Sequence, residues 1–331
     1  MIRQQAFIEK RKMLKGQLHC HTNRSDGWYT PQDTVERYIS KGFDFLAITD
    51  HRIYNLEHPS PEKNITIIPG VEEESVGIKP EIGGYCCFHI VALGPTKEDG
   101  NGYEHDEDTG RADVRNSEQY QPYLDKMHEK NNITIYCHPE WSSTPARLFE
   151  TQKGHVAMEI WNTGSALKGD DANAAYWDEL LAGGYRLWGV ATDDMHYDAH
   201  LGGGWVMVNS ENNINDILAA VKEGKFYSSC GPEIYDFYVS DDGKAVIECS
   251  PVANVCLQSM GHPRRAALDP KGYTYGGVEV TKNEDGKLTR VEFDLVNTWP
   301  KGFEYIRLSV IDENGNRAWT NPIFFDETFR G

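Results

Sequence analysis

Short apolar runs recur along the first two-thirds of the chain, and between them the apolar positions switch to helical spacing. Residues 14–18 run straight into His19, and 43–49 read Phe-Asp-Phe-Leu-Ala-Ile-Thr, the pattern of a buried strand. Residues 65–68 form the next run, ending at Pro69-Gly70, and 88–93, 133–136, 156–160 and 187–191 have the same character. Helical spacing predicts helices over 31–41, 117–130, 145–152, 171–182 and 213–223. In the first of these Thr30 can cap, Pro31 suits the first helical position, and Val35, Tyr38 and Ile39 share a face. In the last, Ile214, Ile217, Leu218 and Val221 make an apolar stripe. Buried strands with interleaved helices predict an α/β unit over residues 1–228, either a parallel β/α barrel or a doubly wound sheet. From residue 229 helical spacing disappears. Strands there alternate with turns such as Asp241-Asp242-Gly243 and Asp312-Glu313-Asn314-Gly315, which predicts a small antiparallel, sandwich-like all-β domain over 229–331. Residues 97–116 are polar, acidic and glycine-containing, and read as a surface excursion or an active-site lid.

Bulk properties narrow the function. A length of 331 residues suits two domains. No apolar run approaches the roughly 20 residues that span a bilayer, and the N-terminus lacks a signal-peptide pattern, so a cytoplasmic, membrane-free protein is expected. The net charge of −18 argues against nucleic acid and anionic membranes as partners, since both require a positive field. A small anionic substrate stays open, because bound cations are not counted in the sequence charge. Seven cysteines without a C-x-x-C spacing read as reduced thiols rather than a disulfide framework. No pattern in the chain specifies an oligomeric state.

The candidate chemistry lies where the strand runs end. His19 and His21 follow the first run, with side chains on one side because strand residues alternate. Asp26 comes on the following turn. Asp50-His51 follow the second run, Glu72 the third, His138 the fifth, and Asp194 and His196 the last, while His89 opens the fourth. Barrels keep their chemistry at the C-terminal ends of their strands, and scattered core histidines would not gather there. Imidazoles mixed with carboxylates suit divalent zinc, manganese or iron.

Taken in order, His19-Cys-His21-Thr-Asn-Arg-Ser-Asp26-Gly, Ile48-Thr-Asp-His51, Pro69-Gly-Val-Glu72, His89-Ile-Val-Ala-Leu-Gly, Tyr136-Cys-His138-Pro and Asp194-Met-His196 resemble the polymerase and histidinol phosphatase (PHP) superfamily over residues 15–228. The resemblance implies a distorted (β/α)7 barrel with two or three divalent metal ions at its mouth. It implies one metal on His19, His21, Glu72 and Asp194, a second on Glu72, His89 and His138, and a third on Asp26, His51 and His196. Within Glu72-Glu73-Glu74 the motif favours Glu72, and within Asp193-Asp194 the D-x-H spacing favours Asp194. The expected activity is phosphoester hydrolysis of a small phosphorylated substrate through a hydroxide bridging two metals. The alternatives are a metallohydrolase of carbamate, amide or carboxyl-ester bonds, and a non-catalytic metal-binding regulatory module. A site poor in arginine and rich in aromatics would favour the first alternative. Arg24, Arg52 and Arg147 are candidates to fork onto a phosphate, and His200 is a candidate general acid. Glu159 and Asn162 sit at the correct strand end to line the site, or simply pack. The loop from His200 to Trp205 has no Gly-Lys-Ser/Thr and is no nucleotide P-loop. His58, His105, His128, His155 and His262 fit no ligand spacing, and Tyr273, Tyr275, Trp299 and Trp319 read as core aromatics.

Overall fold

A computed structural model describes residues 1–9, 11–75, 86–114, 117–170, 173–260, 265–268, 277–297 and 302–329. His262, Tyr273, Tyr275 and Trp299 lie outside them. Thr30 caps the helix Pro31–Ser40 by accepting from the Asp33 amide at 3.1 Å. Asn213 caps Ile214–Glu223, and Gly224 closes it at φ +72, a left-handed turn that glycine adopts without a Cβ clash.

Among the described residues the strands fall into three main sheets. In the first, Leu14–Gln17, Phe45–Ala47 and Thr66–Ile68 run parallel, and Trp205–Val208 joins Leu14–Gln17 antiparallel. In the second, Ile133–Tyr136, His155–Asn162 and Trp188–Thr192 run parallel, whereas His89–Leu93 runs antiparallel to both Gly70–Ser75 and Ile133–Tyr136. Two expectations are corrected here. The sheet is not wholly parallel, and among the described residues it does not close into a barrel. Buried side chains replace the missing ladder along one edge of Trp188–Thr192. Ser228 Oγ accepts from Ala191 N at 3.0 Å and donates to Gly189 O at 2.8 Å. Asn321 Oδ1 accepts from Gly189 N at 3.0 Å, and Gln17 Oε1 accepts from Asp193 N at 3.2 Å. Each buried backbone group is thus satisfied without a continuous ladder.

Gly70–Ser75 is a strand that the hydrophobic pattern conceals, because three consecutive glutamates occupy its centre. All six of its residues are buried. Strand alternation sends Glu72 and Glu74 to one face and Glu73 to the other, where Tyr103 and Tyr120 stand. Burial pushes the Glu73 carboxyl up to about 8. Its folded pKa is raised, so its contribution to stability is complete below the unfolded value of about 4.3 and is lost as pH rises through about 8. Glu73→Gln should therefore raise the melting temperature more at about pH 8.5 than at about pH 5, measured by calorimetry. A gain of equal size at both pH values would contradict this.

The antiparallel expectation for residues beyond 229 holds strand by strand, as in Ile234–Val239 against Lys244–Val252 and Asn254–Gln258 against Phe303–Ile311. These strands are not hydrogen-bonded apart from the rest. Phe226–Ser229 pairs with Arg317–Thr320, which joins the C-terminal strands to the sheet that carries Leu14–Gln17. The Arg307 guanidinium, 2% exposed, adds a buried ion pair to Asp178 on the helix Asn173–Ala182 at 2.8 Å from Nε. Trp319 is buried in the core beside Trp161. All seven cysteines are free thiols, and no helix among the described residues is long and apolar enough to cross a membrane.

Candidate metal centre

His19, His21, His51, Glu72, His89, His138, Asp194 and His196 converge at one edge of the sheets. His89 opens its strand rather than ending it because His89–Leu93 runs opposite to its neighbours, so its start lies beside their ends. Short backbone links bind the segments together. His21 N donates to Met195 O at 2.9 Å, Asp194 N to His19 O at 3.1 Å, and Arg52 N to Glu72 O at 3.0 Å. Arg52, His138 and Asp194 all adopt positive φ, at 63°, 22° and 48°. Non-glycine residues pay for that conformation in strain, which persists where the surroundings over-determine it.

Four donor atoms form one tight group: His19 Nε2, His21 Nε2, Glu72 Oε2 and Asp194 Oδ1. His19 Nε2 lies 3.1 Å from His21 Nε2, 3.2 Å from Glu72 Oε2 and 3.3 Å from Asp194 Oδ1. His21 Nε2 lies 3.1 Å from each of the two carboxylate oxygens. A tetrahedral site with bonds of 2.0–2.1 Å has ligand–ligand edges of about 3.3 Å, so the group has the dimensions of a cation cage. Glu72 Oε2 and Asp194 Oδ1 are buried and have no hydrogen-bond partner, as has His51 Nδ1. Unpaired buried carboxylate oxygens are costly unless a cation completes them. The residues therefore fit a divalent metal.

The other oxygen of Glu72, Oε1, meets His89 Nδ1 at 2.9 Å and His138 Nε2 at 3.2 Å. A looser group gathers at the mouth, where Asp26 lies 3.4 Å from His196 Nε2 and 3.8 Å from both His51 Nε2 and His21 Nδ1. His51 stands between the groups, its Nδ1 lying 3.2 Å from Glu72 Oε2 and its Nε2 toward Asp26.

Four of the imidazoles have a partner on the nitrogen that faces away from the cluster. His19 Nδ1 donates to Glu159 Oε1 at 2.7 Å, and His196 Nδ1 donates to Asp194 O at 2.9 Å. His138 Nδ1 meets Ser142 Oγ at 3.1 Å, and His21 Nδ1 meets Ser25 Oγ at 3.4 Å. Such partners fix the tautomer and leave the other nitrogen facing the cluster. Glu159 is fully buried and also accepts from Thr192 Oγ1 at 2.6 Å, His138 N at 2.9 Å and Asn162 Nδ2 at 2.8 Å. It is the orienting group of the centre, and Asn162 ties it to Asp194 Oδ2 at 3.2 Å. Cys137 lies close to His19 and Glu159, but burial pushes its thiol well up, which keeps it protonated.

The electrostatics follow from this crowding. Burial opposes charge on His21, yet the adjacent carboxylates of Asp194 and Glu72 outweigh it and push the imidazole up to about 10. Burial likewise opposes charge on His89, and Glu72 lifts it to about 10. Burial pushes Glu72 and Asp194 upward, but the surrounding histidines hold both well below the usual carboxylate range. Without a cation, protons on the histidines balance the carboxylates. Asp193 has a different task. Its carboxylate accepts from the amides of Gly202, Gly203 and Gly204 at 2.7, 2.8 and 3.0 Å, which pins the glycine loop behind the site. Asp50 similarly accepts from Thr22 N, Ser25 Oγ and Asn55 Nδ2 and faces away from the cluster.

A cavity of about 770 Å³ opens over the cluster, lined by Asp26, His51, His89, Arg24, Arg52 and Arg111 among others. Arg24 is ion-paired with Asp106 and bonded to Asn55. Arg147 sits exposed on the helix Ala146–Phe149 and is not among the residues that line this cavity. His200 is buried beneath Tyr197, at 4.0 Å between ring centroids, and its Nδ1 faces Asp194 O at 3.1 Å. His200 is not among the residues that line this cavity. Arg111 and Trp141 were missed. Arg111 belongs to the 97–116 excursion, which reaches the site because Arg111–Ala112 pairs with Glu74–Ser75. Trp141 contacts His89 and His138 at ring distances of 5.4 and 5.0 Å. Its position three residues after His138 was the available clue.

The PHP domain model matches residues 17–159. The 5'-3' exoribonuclease Rnm of Escherichia coli is 38% identical over 82 residues, 23% of this chain and 26% of that protein. The DNA polymerase/3'-5' exonuclease PolX of Bacillus subtilis is 44% identical over 41 residues, 12% of this chain and 7% of that protein. The chain thus spans about a quarter or less of the length of these curated relatives. A two-domain protein of Bacteroides vulgatus, described as containing a predicted PHP-like metal-dependent phosphoesterase, aligns over 94% of this chain and 95% of its own at 13% identity and a TM-score of 0.42. The relatives named for RNA and DNA overturn the exclusion of nucleic acid drawn from net charge. Net charge averages over the whole surface and does not describe a cavity in which three arginines stand among four carboxylates. The match to the PHP domain model falls on residues 17–159, where the motifs resemble that family.

Proposed function

We propose that the protein is a metal-dependent hydrolase of phosphoesters, with nucleotides and nucleic-acid ends within its substrate range. The observation that carries this reading is the pair of unpartnered buried oxygens, Glu72 Oε2 and Asp194 Oδ1, each 3.1 Å from His21 Nε2. His19, His21, Glu72 and Asp194 would hold one ion, Glu72 with His89 and His138 a second, and Asp26, His51 and His196 a third. When bound, such ions lower the pKa of water and offset charge on phosphoryl oxygens. The chain's own residues supply the rest. Glu159 and Ser142 keep His19 and His138 in one tautomer. Asp26, more than half exposed, stands at the cavity mouth beside His196. Burial opposes its charge, but His196, His21 and His51 hold it well below the usual carboxylate range. Arg24, Arg52 and Arg111 stand among Asp26, Glu74, Asp106 and Asp108 at the mouth and bring guanidinium donors suited to phosphate. An acyl-bond hydrolase would suit a cavity poor in arginine, so the lining favours phosphoesters over carbamates and carboxyl esters. The test is a panel of phosphomonoesters, phosphodiesters and carboxyl esters offered to metal-loaded protein. Turnover confined to the phosphoesters is expected, and turnover of carboxyl esters alone would refute the reading.

A further inference from the structure

We propose that Arg52 and Arg111, held together by Glu74, form a second anion subsite that takes a phosphate of the substrate other than the one cleaved. The inference rests on the phosphoester reading. Arg52 Nε and Arg111 Nη2 both donate to the same oxygen, Glu74 Oε1, at 2.9 and 2.8 Å. Glu74 is buried, while both arginines are nearly half exposed and line the cavity over the cluster. One carboxylate cannot neutralise two guanidiniums, so the pair retains a positive charge. Each guanidinium has five N–H donors, and the Glu74 contact takes one of them from each.

The backbone fixes both arginines. Arg52 adopts φ 63, its N–H bonds Glu72 O at 3.0 Å, and its carbonyl accepts from Thr109 N at 2.8 Å and Thr109 Oγ1 at 3.3 Å. Arg111 is set by the pairing of its strand with Glu74–Ser75. Strain held by several bonds is characteristic of a position with a task. The cavity's other carboxylates have partners apart from Arg52 and Arg111. Asp106 pairs with Arg24, Asp108 accepts from Gly110 N at 2.9 Å, and Asp26 belongs to the histidine group.

The spacing identifies the ligand class. Glu72 anchors the cluster and Glu74 anchors the arginines, and same-face neighbours on a strand are about 7 Å apart. That separation is too long for the two phosphates of a pyrophosphate. It suits two phosphates divided by one sugar-sized linker, as in a sugar bisphosphate or successive phosphates of an oligonucleotide.

The experiment compares two pairs of substrates on metal-loaded protein: butane-1,4-diol bisphosphate against butyl phosphate, and the dinucleotide pTpT against thymidine 5'-phosphate. Wild type should prefer the doubly phosphorylated member of at least one pair by about tenfold or more in kcat/KM, expressed mainly in KM. The favoured pair identifies the source of the second phosphate. Arg111→Gln should cut that preference about tenfold, and Arg52→Gln should do the same. Calorimetric binding of butane-1,4-diol bisphosphate and pTpT supplies a readout independent of turnover and should weaken in parallel. No preference in wild type for either pair, or a preference kept by both variants, would overturn the subsite. Binding that depends on Arg111, with no hydrolysis of any phosphoester, would sustain the subsite and refute the proposed activity instead.

Discussion

Glu72→Gln should abolish turnover, with a loss of about 10³-fold or more, while the fold survives. The substitution keeps the volume and removes the charge. Both oxygens of Glu72 are engaged, Oε2 toward His19, His21 and His51 and Oε1 toward His89 and His138. A glutamine would present an amide nitrogen to one of those groups, where it can bind no cation. Metal content should fall by at least one ion per chain, because Glu72 is shared between two of the proposed sites. Elemental analysis and steady-state kinetics on the same preparation provide the test. A variant with wild-type metal content and turnover would show that Glu72 is not a ligand.

Glu159→Gln should weaken metal affinity by about 10- to 100-fold without removing a ligand. Four donors converge on this carboxylate, two on each oxygen. A glutamine amide nitrogen would face two of them, so His19 or His138 would lose its orientation. The defect should be rescued by excess metal, which distinguishes a positioning role from a catalytic one. An unchanged metal dissociation constant in equilibrium dialysis would assign Glu159 to packing alone.

Much of the centre is legible in the sequence because strand ends concentrate chemistry. His19, His21, His51, His138 and Asp194 each follow an apolar run, and the structure gathers them. Other features were hidden for physical reasons. The strand Gly70–Ser75 carries three glutamates, so hydrophobic periodicity could not reveal it, although Glu72 could be chosen by its motif. The reversed strand His89–Leu93 looks like its parallel neighbours, since direction leaves no trace in apolar spacing. Closure failed for a similar reason. Whether an edge is met by a ladder or by Ser228, Asn321 and Gln17 depends on side chains distant in sequence. Arg111 came from an excursion whose return to the site depends on a two-residue pairing. His200, a histidine near the D-x-H motif, is buried with its Nδ1 toward Asp194 O, a placement that sequence spacing alone does not specify.

The central claim is that the histidine–carboxylate cluster works only with divalent cations. The most direct measurement is phosphoester hydrolysis during chelation and stepwise return of zinc, manganese or iron(II), with bound metal counted at each step. Activity should fall to background on removal and recover as about two to three ions rebind per chain. Full activity in protein retaining fewer than about 0.1 ions per chain would contradict the account.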